Sequence, residues 1–91
     1  LRIPIVSLGL MINDGSEEIR RVIADRIAPN ELKPLLKDED WLVRFSACQR
    51  APIGWLHPMV EDEDQDVREC AIKRIEEARK KQMMKEKSLV I

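Results

Sequence analysis

Few side chains in this chain could do chemistry on their own. There are two cysteines, Cys48 and Cys70, and one histidine, His57. Two thiols without a CxxC pair cannot build a four-cysteine zinc or iron–sulfur site, and one imidazole excludes histidine-rich metal sites. A nucleophile–base–orienter set needs more than one isolated histidine, and no glycine-rich phosphate loop exists. No cofactor, no metal and no catalytic activity are therefore expected. Arginine is the residue type that recurs in a pattern. Arg20, Arg44 and Arg68 stand 24 residues apart, and so do Arg26, Arg50 and Arg74. Guanidinium groups in register could form two cationic stripes that hold phosphates or carboxylates. They could equally form an internal ladder, each arginine bonded to a helix-start aspartate or a loop carbonyl of the next unit. Asp14, Asp38 and Asp62 recur with the same 24-residue spacing, which favours the ladder.

The elements that must position these groups follow from that spacing. Cutting at the aspartates yields units 14–37, 38–61 and 62–85, preceded by a partial unit 1–13 and followed by a tail 86–91. Arg2 falls on the Arg26 place and Leu8 on the Leu32 place, so the chain opens in mid-repeat, as a piece of a longer protein would. Each unit starts with acidic residues such as Asp38, Glu39 and Asp40, which suit the positive N-terminal end of a helix. An apolar stripe at i, i+4, i+8 follows: Ile19, Ile23, Ile27; Val43, Ala47, Ala51; Val67, Ala71, Ile75. This is helical spacing with one buried face. Pro29 and Pro52 stop the first two helices, because proline excludes the α conformation from the preceding residue. The remaining segments, 30–37 and 53–61, contain Pro34 and Pro58 and are too short for a second full helix. They suit 3₁₀ turns. The third unit has no proline, and one long helix is expected from about Asp64 to about Lys85, closing the array with a polar outer face. The predicted fold is an all-α, right-handed solenoid of short helical repeats, each an α-helix plus a short 3₁₀-like helix.

Asp38, Asp40, Val43, Arg44, Ala47, Arg50, Pro52, Leu56 and Val60 resemble the pattern of the leucine-rich-repeat variant family: a DxDxxVR helix, an AxxR ending, a proline and a short LxxL segment. HEAT and armadillo repeats share the D–VR helix but run ~40–47 residues. The resemblance implies alternating α and 3₁₀ helices in a right-handed superhelix. Known members found beside nitrogen-fixation genes carry a cysteine cluster with an iron–sulfur centre ahead of the repeats. This chain has no such cluster, so that function does not carry over. An accessory role in a redox or nitrogen-fixation system stands only as a third alternative.

Composition agrees with a helical protein. The chain has 91 residues, 36% of them charged and only 3 glycines, with a net charge of −1. Near-balance argues against nucleic-acid binding driven by whole-molecule charge. Basic residues nonetheless gather late: residues 73–91 hold seven against three acidic ones. The longest uncharged stretch, 3–13, is too short to span a bilayer, so no membrane partner is expected. Two ordinary thiols point to a reduced, cytoplasmic setting. Cys48 and Cys70 occupy unit positions two residues apart, about 200° around a helix. On that phase the stacked sulfurs should not face one another, and no structural disulfide is expected.

All aromatic residues, Trp41, Phe45 and Trp55, lie in the second unit. Glu17 and Gln65 hold the places equivalent to Trp41, which marks Trp41 as the more exposed. The expected function is a non-catalytic scaffold that binds another protein along a concave surface, with Trp41, Arg44, Trp55 and His57 as candidate contacts. The alternative is a nucleic-acid module using the arginine rows and the basic C-terminal helix.

Overall fold

The computed structural model describes residues 15–89, with side chains to Lys85. The partial unit 1–13, with Arg2 and Leu8, and also Asp14 and residues 90–91, lie outside the described residues. Three α-helices alternate with pairs of 3₁₀ helices, and the described residues contain no strand. Helix α1 is Glu17–Arg26, α2 is Trp41–Arg50 and α3 is Gln65–Leu89. Between α1 and α2 lie the 3₁₀ helices Pro29–Glu31 and Lys33–Lys37; between α2 and α3 lie Ile53–Trp55 and His57–Glu61. Helix α1 packs on α2, and α2 packs on α3.

Local chemistry accounts for each boundary. Asp40 caps α2 by accepting the Val43 N–H at 3.1 Å, and Asp64 accepts the Val67 N–H at the same distance. The cap satisfies one of the four N–H groups that a helix start leaves unpaired. Ahead of each cap, Asp38 and Asp62 accept the backbone N–H of the residue two on, both at 2.9 Å. Each D-x-D thus makes a tight turn and a cap in sequence. Ser16 starts α1 without a side-chain cap bond. Ala28 and Ala51, each just before a proline, are extended, so α1 and α2 cannot continue through them. Pro34 and Pro58 sit in the first turn of their 3₁₀ helices, where a missing N–H costs nothing. After Ile75 no proline intervenes. Helix α3 runs on through good helix formers to Leu89, four residues past the expected end.

The core is the predicted stripe joined by the 3₁₀ leucines. Ile23, Ile27, Val43, Ala47, Ala51, Val67 and Ala71 are fully buried, together with Leu32 and Leu56. Ala24, Leu35, Leu36, Cys48, Met59 and Ile75 complete it. Ile19 is only half-buried, at the edge of this cluster. The outer face of α3 departs from the expected polar cap: Ile72, Met83 and Met84 are 41%, 59% and 71% exposed.

Candidate partner-binding surface

The arginines are placed by the helices and bonded by the turns. Arg20 lies in the first turns of α1, and its Nε and Nη2 donate to the two carboxylate oxygens of Asp38 at 2.7 and 3.2 Å. Arg44 repeats this one unit later, with Nε and Nη2 on Asp62 at 3.0 and 3.3 Å. Its Nη1 also donates to the Asp38 carbonyl at 2.7 Å. Both guanidiniums are buried, and so are their carboxylates. Arg68 donates Nη1 to the Asp62 carbonyl at 2.8 Å, the same within-unit bond that Arg44 makes.

The second row runs in the other direction from the one expected. Arg50 donates to the carbonyls of Ala24 and Ile27 at 2.6 Å each, in the unit before it rather than the next. Arg74 likewise donates to the carbonyls of Cys48 and Ala51. The cause is the unpaired carbonyls that every helix C-terminus presents, which draw a cation from the following helix. Arg26 is exposed, and the positions that this register would set against it lie outside the described residues.

One pair escaped sequence reasoning. Arg21 forks onto Asp40 at 2.9 and 3.0 Å. That hydrogen bond, opposed by partial desolvation and helped by the Val43 N–H, holds the Asp40 carboxyl below its ordinary range. The legible signal was the second aspartate of each D-x-D, since Asp40 and Asp64 share the 24-residue spacing. Nothing periodic marks Arg21, whose equivalents are Phe45 and Glu69.

The two cysteines are free thiols, as expected, but the expectation that their sulfurs stand apart fails. Cys48 and Cys70 are neighbours across the α2–α3 junction, close enough for Cys70 to disfavour the Cys48 thiolate. Both thiols are free, with Cys48 buried and Cys70 half-buried. Helix α1 packs on α2 and α2 on α3, so the front of one helix meets the back of the next. Positions about 200° apart on the repeat unit are then the ones that meet. Burial first, then the neighbouring Cys70, pushes the Cys48 thiol from 9.0 up to about 12.

The four candidate contact residues do not form one site. Trp41 is 41% exposed, its ring tilted 55° against Phe45 at 6.3 Å. With Arg44 it borders an open cleft between helix starts, rimmed by Glu39, Asp40, Glu63 and Asp64. Trp55 lies elsewhere, and the exposed His57 borders neither opening. Trp55 lines a groove of about 300 Å³ between successive 3₁₀ segments, with Leu36, Met59, Pro58 and Gly54. Lys33 and Lys37 form its rim, and the Lys33 ammonium stands 5.6 Å from the Trp55 ring centroid. Such a cation–π contact is worth about 0.5–1 kcal/mol at an exposed site and fixes both side chains. A Cβ on Gly54 would meet no atom within 4 Å. The groove has the makeup of a recognition pocket: an apolar floor with a few charged groups at its edge. The sequence signals missed here were Gly54 beside Trp55 and the lysines one unit earlier.

No group of three or more histidine, cysteine or acidic side chains among the described residues could hold a metal ion. No helix among them is long and apolar enough to cross a membrane. Compared with known proteins, the chain matches no family model, no curated protein and no solved structure.

Proposed function

We propose that this chain is a non-catalytic helical-repeat scaffold of the cytoplasm, a right-handed solenoid of α-plus-3₁₀ units, that binds another protein. The groove around Trp55 is its contact site. A single observation carries the reading: the apolar groove is open and rimmed by two lysines, whereas Arg20, Arg44, Arg50 and Arg74 are engaged within the fold. A groove of this kind suits a partner segment that offers one large apolar side chain flanked by carboxylates. Bonds at 24-residue intervals between successive helices support the repeat, because the same donor–acceptor pair recurs at the same offset.

The test is selection from a displayed peptide library, followed by titration of the selected peptides. Apolar–acidic sequences should be enriched, and Lys33→Glu with Lys37→Glu should weaken them at least tenfold. Enrichment unaffected by those changes, or none at all, would reject the groove as the site. A second reading keeps some support from α3, where Arg79, Lys80, Lys81 and Lys85 are exposed. Nucleic acid bound there would show a steep salt dependence.

A further inference from the structure

The segment that would suit the Trp55 groove, one large apolar side chain flanked by carboxylates, has a counterpart in this chain itself. Trp41 is 41% exposed at the start of α2, with Phe45 behind it. Glu39 and Glu63 border the same cleft. Their side chains are 91% and 88% exposed and stand 3.7 and 3.8 Å from Arg20 and Arg44. Those guanidiniums already fork onto Asp38 and Asp62. Long, exposed contacts of this kind hold a carboxylate weakly, so both glutamates remain able to meet an outside cation.

This acidic, aromatic edge is continuous with the groove. Leu36 and Lys37 line the groove and also the next opening along the stack, which Glu39 and Glu63 line as well. One strip therefore runs from Trp55, past Lys33 and Lys37, to Glu39, Glu63 and Trp41. At one end is an apolar groove with two cations on its rim. At the other is an exposed indole with two anions beside it. The groove, at about 300 Å³, is at the lower limit for a ligand pocket and suits one large side chain. Each end offers what the other end takes. A two-fold axis across the strip sets the opposite ends of two copies together, so every contact is made twice.

We infer that this strip pairs with the same strip of a second copy of this chain: Trp41 of each copy enters the Trp55 groove of the other, with Glu39 and Glu63 against Lys33 and Lys37. The inference rests on the groove being a contact site, and it assigns that site a regulation. Self-association covers the groove, and a partner protein must displace the second copy to reach it. A two-fold contact closes on itself, so assembly stops at two. The charge pairs at its rim are exposed, so each adds little and the dimer weakens with salt. The chain is thus a monomer at tens of micromolar and a dimer toward about 1 mM.

The experiment is sedimentation velocity on the whole chain from tens of micromolar to about 1 mM. Two charge-reversed variants, Lys33→Glu with Lys37→Glu and Glu39→Lys with Glu63→Lys, are run alone and mixed, and Trp41→Ala is run alone. Circular dichroism checks that these exposed-site variants stay folded. The wild type should pass from monomer to dimer and no further. Each charge-reversed variant alone should stay monomeric, since both ends of its strip then carry one sign. Their equimolar mixture should dimerise, because an all-acidic strip meets an all-basic one. Trp41→Ala should weaken the dimer at least about tenfold while binding a selected apolar–acidic peptide as the wild type does. That peptide, added to the wild type, should dissociate the dimer. A wild type that stays monomeric yet binds the peptide overturns the self-contact and leaves the groove as the partner site. A wild type that dimerises but takes no peptide supports the self-contact and rejects the groove as a site for another protein. Species larger than dimers, a charge-reversed variant that dimerises alone, or a mixture that stays monomeric also overturns the inference.

Discussion

Replacing Arg44 by alanine removes the bond that joins two units and the turn before them. The guanidinium lies 8% exposed against an Asp62 side chain 9% exposed, with a bidentate contact. Breaking a buried pair by removing one partner costs about 3–5 kcal/mol, because the remaining charge is left desolvated. Asp62 keeps one bond, from the Asp64 N–H at 2.9 Å, which moves the expected loss to the low end. The Asp38 carbonyl also loses its donor. Glu63 adds little, since its carboxylate is 88% exposed and 3.8 Å away. The expected cost is about 3 kcal/mol. A domain of 91 residues holds roughly 5–14 kcal/mol in total, so the change removes a large share of it. In a urea melt the midpoint should fall by more than about 1 M with the slope unchanged. Exposed Arg79→Ala should stay within about 0.5 kcal/mol of wild type. A double-mutant cycle with Asp62→Ala should return a coupling of about 1–3 kcal/mol. A loss below about 1 kcal/mol for Arg44→Ala, or no coupling, would refute the ladder. High salt should not rescue or abolish the effect, because buried pairs are screened little.

Ala47→Leu puts three extra carbons where no surface is open, and should cost about 1–3 kcal/mol in the same melt; a neutral result would mean that the stripe does not face the core. With a thiol-specific reagent near neutral pH, Cys70 should react first and Cys48 only on unfolding; equal rates would contradict the buried contact. Alkali should act through the same thiol. Cys48 titrates at about 12 in the fold against 9.0 ordinarily, so its contribution is full below 9.0 and is lost as pH rises toward 12. Cys48→Ala should flatten that decline in thermal stability, and an unchanged slope would count against the shift.

Much of the fold was legible because helix starts, stops and stripes are local chemistry. Acidic caps, Pro29 and Pro52, and the apolar residues at i, i+4, i+8 each act within a few residues. Arg20 and Arg44 could be matched to Asp38 and Asp62 because donor and acceptor share one spacing. What was not legible depends on how one unit is offset against the next. That offset decides that Arg50 reaches back to Ala24 and Ile27, and that Cys48 meets Cys70. A period states how often positions recur, not which of them touch. The groove escaped for the same reason: Lys33 and Trp55 belong to different units and meet only once the 3₁₀ segments are stacked.

The central claim is that the periodic arginines hold the fold while the groove at Trp55 meets the partner. Amide and arginine Nε–H resonances, followed by NMR during titration with a selected apolar–acidic peptide and then with duplex DNA, test it most directly. The account predicts peptide-induced shifts confined to residues 33–37 and 54–59. It predicts DNA-induced shifts confined to the basic stretch 79–85 and lost with added salt. Arg20 and Arg44 Nε–H signals that move on adding DNA, with the groove silent to peptide, would contradict it.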